Sequence, residues 1–191
     1  MKLHYSPQAG FSLVETLVAI TILLIVITGP LAVSVNTARS TNFASEQTVA
    51  FFLAQEGAEL MQIARDNLVL DSFSSGSVAW DAFTDETGTY AACYEPEGCG
   101  VELGAGGLIV HACSDPVTPC RLFFDDGNFR NVYTYDDSSG NEEMLYSRII
   151  TLENISSDYV RVESRVVWRT GSLRDVQEVK VETYLYNVYG N

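Results

Sequence analysis

The chain has 191 residues, 47% hydrophobic and 19% charged, room for one globular domain and a long helix rather than several domains. Its 25 acids against 11 bases leave a formal charge of −14, with only Lys2 and Lys180 as lysines. Such a surface does not attract nucleic-acid phosphates or anionic lipid, so direct nucleic-acid binding is not expected, and the acid excess reads as solubility for an exported domain.

Residues 1–10 carry Lys2, His4 and the helix-discouraging Pro7. They lead into Gly10-Phe11-Ser12-Leu13-Val14-Glu15, and from Thr16 to Val35 twenty residues follow without a charge. At about 1.5 Å per residue, that run makes a helix of about 30 Å, the thickness of a bilayer's hydrocarbon core. Glu15 sits at its N-terminal edge, where an unpaired carboxylate costs about 2.5–3.5 kcal/mol to insert, so it calls for a partner. Lys2 is the only fixed positive charge before the run and Arg39 the first after it, too thin a charge bias to set orientation. Gly29-Pro30 predicts a kink or a locally melted turn, because proline removes a backbone donor and crowds the preceding turn.

Beyond Leu31 the pattern stays helical. Ala44, Val49, Phe52, Leu53, Ala54, Gly57, Leu60, Met61, Ile63, Ala64 and Leu68 recur at threes and fours, an amphipathic stripe. One helix is therefore expected from near Phe11 to about Leu68, its first part (residues 11–35) suited to a membrane and its second (36–68) to packing on a sheet. Residues 68–78, rich in serine, read as a loop. Residues 69–130 read as a loop-rich region with short strands at Leu108-Ile109-Val110 and Leu122-Phe123-Phe124, and Gly104-Ala105-Gly106-Gly107 as a turn.

That region holds all four cysteines, Cys93, Cys99, Cys113 and Cys120. An even number beyond a membrane segment points to disulfides in an oxidising compartment, with three connectivities open; the spacing favours the local pairs Cys93–Cys99 and Cys113–Cys120. Zinc is the competing reading, but structural zinc sites usually separate paired cysteines by two to four residues.

Residues 131–191 read as antiparallel sheet. Residues 131–135 and 144–153 flank a polar turn over 136–143 and suggest a hairpin. From Tyr159 to Trp168, Val160, Val162, Val166 and Trp168 alternate with Tyr159, Arg161, Glu163 and Arg165. Residues 176–187 alternate again through Val179, Val181 and Leu185. Alternation with one polar face marks a sheet solvated on one side, and the amphipathic helix supplies its cover, an α+β arrangement.

Catalysis finds little support. There are two histidines, one in residues 1–10, and the lone His111 reads as structural. No glycine-rich phosphate loop precedes a helix. Asn154-Ile155-Ser156 fits a glycosylation sequon of a kind common by chance.

Gly10-Phe11-Ser12-Leu13-Val14-Glu15 and the apolar run after it resemble the cleavage and methylation motif of type IV prepilins and type II secretion pseudopilins. The resemblance implies a leader ending at Gly10, a membrane peptidase that cuts there and methylates Phe11, and an acid, Glu15, at the fifth mature position. It implies a long helix on an antiparallel sheet, filament assembly through the apolar helix, and as partners other pilin or pseudopilin subunits, the prepilin peptidase, the inner-membrane assembly platform and the membrane itself. The domain would lie outside, first membrane-anchored and then in a filament. Within a filament Glu15 would meet the N-terminal amine of a neighbour, recovering the cost of its burial and fixing register. Leu13-Val14-Glu15-Thr16-Leu17-Val18-Ala19, and the segments Leu53-Ala54-Gln55-Glu56-Gly57-Ala58-Glu59-Leu60 and Ile63-Ala64-Arg65-Asp66-Asn67, resemble minor pilins and minor pseudopilins. Some pseudopilins hold calcium in a loop of their sheet; the oxygens on offer here are those of Asp136, Asp137, Asn141, Glu142 and Glu143, although their order is not that of an EF-hand. An anchored adhesin that never polymerises, or a secreted enzyme uniting His111 with acids, are the rival readings.

Overall fold

The computed structural model describes residues 10, 12–71, 76–114, 119–127, 132–138, 140–170 and 176–188. Phe11 and residues 1–9 lie outside the described residues. The chain divides into two units, Met1–Ser45 and Glu46–Asn191, and helix α1, Leu13–Asp71, contributes to both.

In the first unit the described residues form helix from Leu13 onward, with apolar side chains exposed all round: Leu17, Ile20, Leu24, Ile27 and Leu31 among them. Isoleucine, valine and threonine are mediocre helix formers in water. In an apolar medium, by contrast, the backbone must satisfy itself internally, which a helix does. The hydroxyls follow the same rule. Thr16 donates to the carbonyl of Leu13 at 2.9 Å, Thr21 to Val18 at 2.8 Å, Thr28 to Ile25 at 3.0 Å and Ser34 to Pro30 at 2.9 Å, so each polar group is folded back onto its own helix. The helix is continuous through Gly29 and Pro30. Proline removes one backbone donor there, and the bonds on either side keep the turn helical.

The second unit packs the remainder of α1 on an antiparallel sheet. After α1 come helices α2 (Gly76–Thr84) and α3 (Ala91–Tyr94), then β1 (Cys99–Gly104), β2 (Gly107–Ala112), β3 (Arg121–Asp125), β4 (Val132–Thr134), β5 (Glu142–Ser156), β6 (Tyr159–Trp168) and β7 (Gln177–Tyr186). The long β5 is the spine. On one side it pairs with β6, which pairs with β7; on the other it meets β3 near its start and β1 at Ile150, with β4 and β2 outermost.

Strand β6 alternates as its sequence predicts, with Val160, Val162, Ser164, Val166 and Trp168 buried. These face the α1 stripe of Ala50, Leu53, Ala54, Gly57, Leu60, Met61 and Ala64, which is spaced for one side of a helix. Two expected stripe members, Phe52 and Ile63, lie instead on the exposed side, Phe52 at 62% exposure; each stands one position from a buried residue, about 100° around the helix. Ala44 is exposed as well.

Two further expectations are corrected. The segment read as loop from residue 68 onward is helix up to Asp71, and α2 begins at Gly76. Trp80 and Phe83 of α2 join Tyr90 and Cys93 in closing one end of the core over Leu152, Val160 and Leu185. The indole N–H of Trp80 donates to the Ser157 carbonyl at 2.7 Å, which allows the ring to be buried. The predicted hairpin across residues 136–143 does not form either. Strand β4 pairs with β3, Phe124 opposite Tyr133, and β3 takes the place beside β5. Only Val132–Thr134 are in extended pairing, and the Tyr133 ring meets Phe124, ring centres 5.7 Å apart, a cross-strand contact that favours β3 as the partner.

Candidate functional site

The N-terminal segment combines three features. Gly10 is exposed. The helix starts directly after Ser12, whose carbonyl accepts the Thr16 N–H at 3.2 Å. Glu15 lies in the first turn, where the unpaired N–H groups favour a negative charge. Glu15 is exposed, as are Leu13 and Val14 beside it. The first part of α1 is long and apolar enough to cross a membrane, and none of that stretch is buried within the protein. A helix with apolar side chains on all sides needs lipid or other helices as its solvent. Phe11, the residue whose amine would face Glu15, lies outside the described residues.

The cysteines form the two local pairs. Cys93 joins Cys99 with Cα atoms 4.6 Å apart, and Cys113 joins Cys120 at 4.9 Å. The first bridge is in the core and ties α3 to β1; the second closes the connection from β2 to β3. Cys120 has a φ of 48°, an unusual value for a residue with a side chain.

In the segment from Asp136 to Glu143, Asp136, Ser138 and Asn141 are occupied with their own turn. The Asp136 carboxylate accepts the Ser138 N–H at 3.0 Å and its hydroxyl at 2.9 Å, and Asn141 donates to the Asp136 carbonyl at 2.9 Å. Asp137 and Glu142 are exposed, and Glu143 lies 3.5 Å from Arg121. Among the described residues no group of three or more histidine, cysteine, aspartate or glutamate side chains is arranged to hold a metal. His111 contacts Glu102 at 2.8 Å and packs on Tyr135, ring centres 5.3 Å apart. Asn154 donates to the Thr84 carbonyl and to Glu86, linking β5 to the end of α2.

The sequence did not disclose the polar junction inside the domain. Arg148 of β5 is 1% exposed. Its Nη1 reaches Glu56 of α1 at 2.6 Å, its Nη2 the Val101 carbonyl at 2.9 Å, and its Nε the Tyr135 hydroxyl at 2.8 Å. That hydroxyl in turn donates to the Arg148 carbonyl at 3.1 Å. Burial pulls the guanidinium's affinity for its proton down, but Tyr135 and Glu56 outweigh it, and Arg148 is held above the ordinary arginine value. Burial dominates at Tyr135 and pushes its phenol up. The signals were a single cation, Arg148, within the apolar run of β5 and an acid, Glu56, between the buried Ala54 and Gly57 of the stripe.

A long helix laid on an antiparallel sheet, led by a membrane-length apolar segment, is a pilin-like α+β architecture. The prokaryotic N-terminal methylation motif matches residues 5–29, so the chain carries the leader of type IV pilins and pseudopilins. No curated protein and no solved structure matches the chain. The motif supports a type IV pilin- or pseudopilin-type subunit, in a family that is structural rather than enzymatic, suggests other pilin subunits and a prepilin peptidase as partners, and, with the apolar helix, suggests a membrane-anchored protein with a C-terminal domain.

Proposed function

We propose that this chain is a minor subunit of a type IV pilus or of a type II secretion pseudopilus. The leader is cut after Gly10, Phe11 becomes the methylated N-terminus, and the first part of α1 anchors the chain in the inner membrane with its domain outside. An assembly platform then transfers the helix from lipid into a bundle of like helices. Glu15 pairs with the N-terminal amine of a neighbour and sets the register, and Gly29-Pro30 is the weak point at which the helix bends or unwinds to fit the bundle. The observation that carries this reading is the methylation motif at the head of a membrane-length helix with apolar side chains on every side.

Shearing tests it. Filaments sheared from cells that express the chain at its natural level should contain it, at low stoichiometry to a major subunit, by quantitative mass spectrometry. Retention of the whole pool in the membrane fraction would favour an anchored adhesin that never polymerises.

A further inference from the structure

The solvent face of the sheet is laid out in cross-strand charge pairs. Arg161 meets Glu153 and Glu182, Arg165 meets Glu178 at 3.7 Å, and Lys180 lies 3.4 Å from Glu163 and 3.5 Å from Glu178. In a chain with 25 acids and 11 bases such pairing is the ready state for a cation. The pattern stops at the end of β6.

A cleft of about 360 Å³ opens there, lined by Arg121, Leu145, Trp168, Arg169 and Val176, with Ser147 in its floor. Arg169 is exposed and has no ion pair among the described residues. Arg121 donates from Nη1 to the Met144 carbonyl at 2.9 Å, but its Nε is buried with no hydrogen-bond partner among the described residues. The Glu143 carboxylate, 65% exposed, stands 3.5 Å from that Nε without hydrogen-bond geometry. Two guanidinium groups thus border one cleft, that of Arg169 exposed and without an ion pair among the described residues, while Leu145 and Val176 present exposed apolar surface beside them. Guanidinium forks match carboxylates in pairs of parallel hydrogen bonds, and the apolar walls suit a hydrophobic neighbour of that carboxylate.

We infer that this cleft is a docking site for an acidic, apolar-flanked peptide segment of a neighbouring subunit. Charge complementarity selects the occupant: subunits of strongly negative charge repel one another, and a cationic cleft gives lateral contact a place where an acid is welcome. That the donor is another subunit rests on the filament role proposed above; the preference for an acid–apolar segment rests on the cleft alone.

The probe is a fluorescent peptide of residues 136–146 of this chain, whose four acids precede Met144, Leu145 and Tyr146. It is titrated against the full chain in detergent micelles. Saturable binding is expected, weakened about tenfold by Arg169→Gln, by Arg121→Gln and by a peptide with its acids converted to amides, and reduced at high salt. Arg169 is exposed, so its variant should unfold at the wild-type temperature. Absent saturation, equal affinity for the amide peptide, or wild-type affinity in Arg169→Gln would each overturn the inference. So would arginine-dependent binding to phosphatidylglycerol vesicles without peptide binding, which would make the cleft a lipid site. The first residue of the same preparation reports on the filament role separately. Methylated Phe11 with no peptide binding rejects the cleft alone, whereas peptide binding with residues 1–10 still attached rejects the filament role alone.

Discussion

Arg148 Nη1 lies 2.6 Å from Glu56 Oε2, joining the spine of the sheet to the helix that covers it. The two ends differ in setting: the guanidinium is 1% exposed and the carboxylate 50%. The acid can be rehydrated when the pair breaks; the cation cannot. Glu56→Ala should therefore cost more than a surface pair and less than a fully buried one, about 1–3 kcal/mol. Denaturant unfolding of the full chain in detergent reads it. A cost below about 0.5 kcal/mol would mean the pair is no more than a surface salt bridge.

Gly57 is a point of close approach on the same helix. A Cβ built there would collide with Ser164 Oγ and stand 3.2 Å from Arg148 Cδ. Alanine gains about 1 kcal/mol in helix propensity, but overpacking at a tight core contact costs about 1–3 kcal/mol, so Gly57→Ala is expected to destabilise. Ser164 Oγ is buried without a hydrogen-bond partner among the described residues, so Ser164→Ala alone should be neutral or stabilising. Combined with Gly57→Ala it should recover part of the loss, and the double-mutant cycle measures that coupling. Strict additivity would place the clash elsewhere.

Stability should fall in alkali. Burial raises the phenols of Tyr90, Tyr94, Tyr135 and Tyr146, and Tyr146, with Glu46 and Tyr133 nearby, is pushed up to about 12. Tyrosine in an unfolded chain loses its proton near 10. Above that pH the unfolded state binds fewer protons than the folded one, so stability declines. The contribution from Tyr146 is intact below about pH 10 and is lost as pH rises toward about 12. Thermal unfolding against pH checks this, and Tyr146→Phe should shallow the decline; an unchanged slope would remove Tyr146 as a source.

Glu15→Leu should leave the chain fully inserted in the membrane, since it removes the one charge at the edge of the apolar run. Incorporation into filaments should fall to background, because a neighbour's terminal amine would lose its partner. Membrane and sheared fractions are compared by mass spectrometry. Normal incorporation would show that register is set by apolar packing alone.

What could be read from the residues was what repeats. Tyr159 to Trp168 alternates so regularly that β6 matches its expected bounds, and the inner stripe of α1 follows from helical spacing. The motif before Thr16 is legible because its chemistry depends on sequence position. Features that depend on distant partners were not legible. Nothing near Arg148 names Glu56, 92 residues away. That β4 pairs with β3 was not legible because a three-residue strand carries too little pattern to show its partner. Helices α2 and α3, of nine and four residues, are too short for periodicity to appear among glycines and cysteines.

The start of the exported chain tests the processed-subunit role most directly. The protein recovered from outside the inner membrane should start at Phe11, and a tandem mass spectrum of its first peptide should show one methyl group on the Phe11 amine. A chain that begins at Met1, or at any residue other than Phe11, would contradict it.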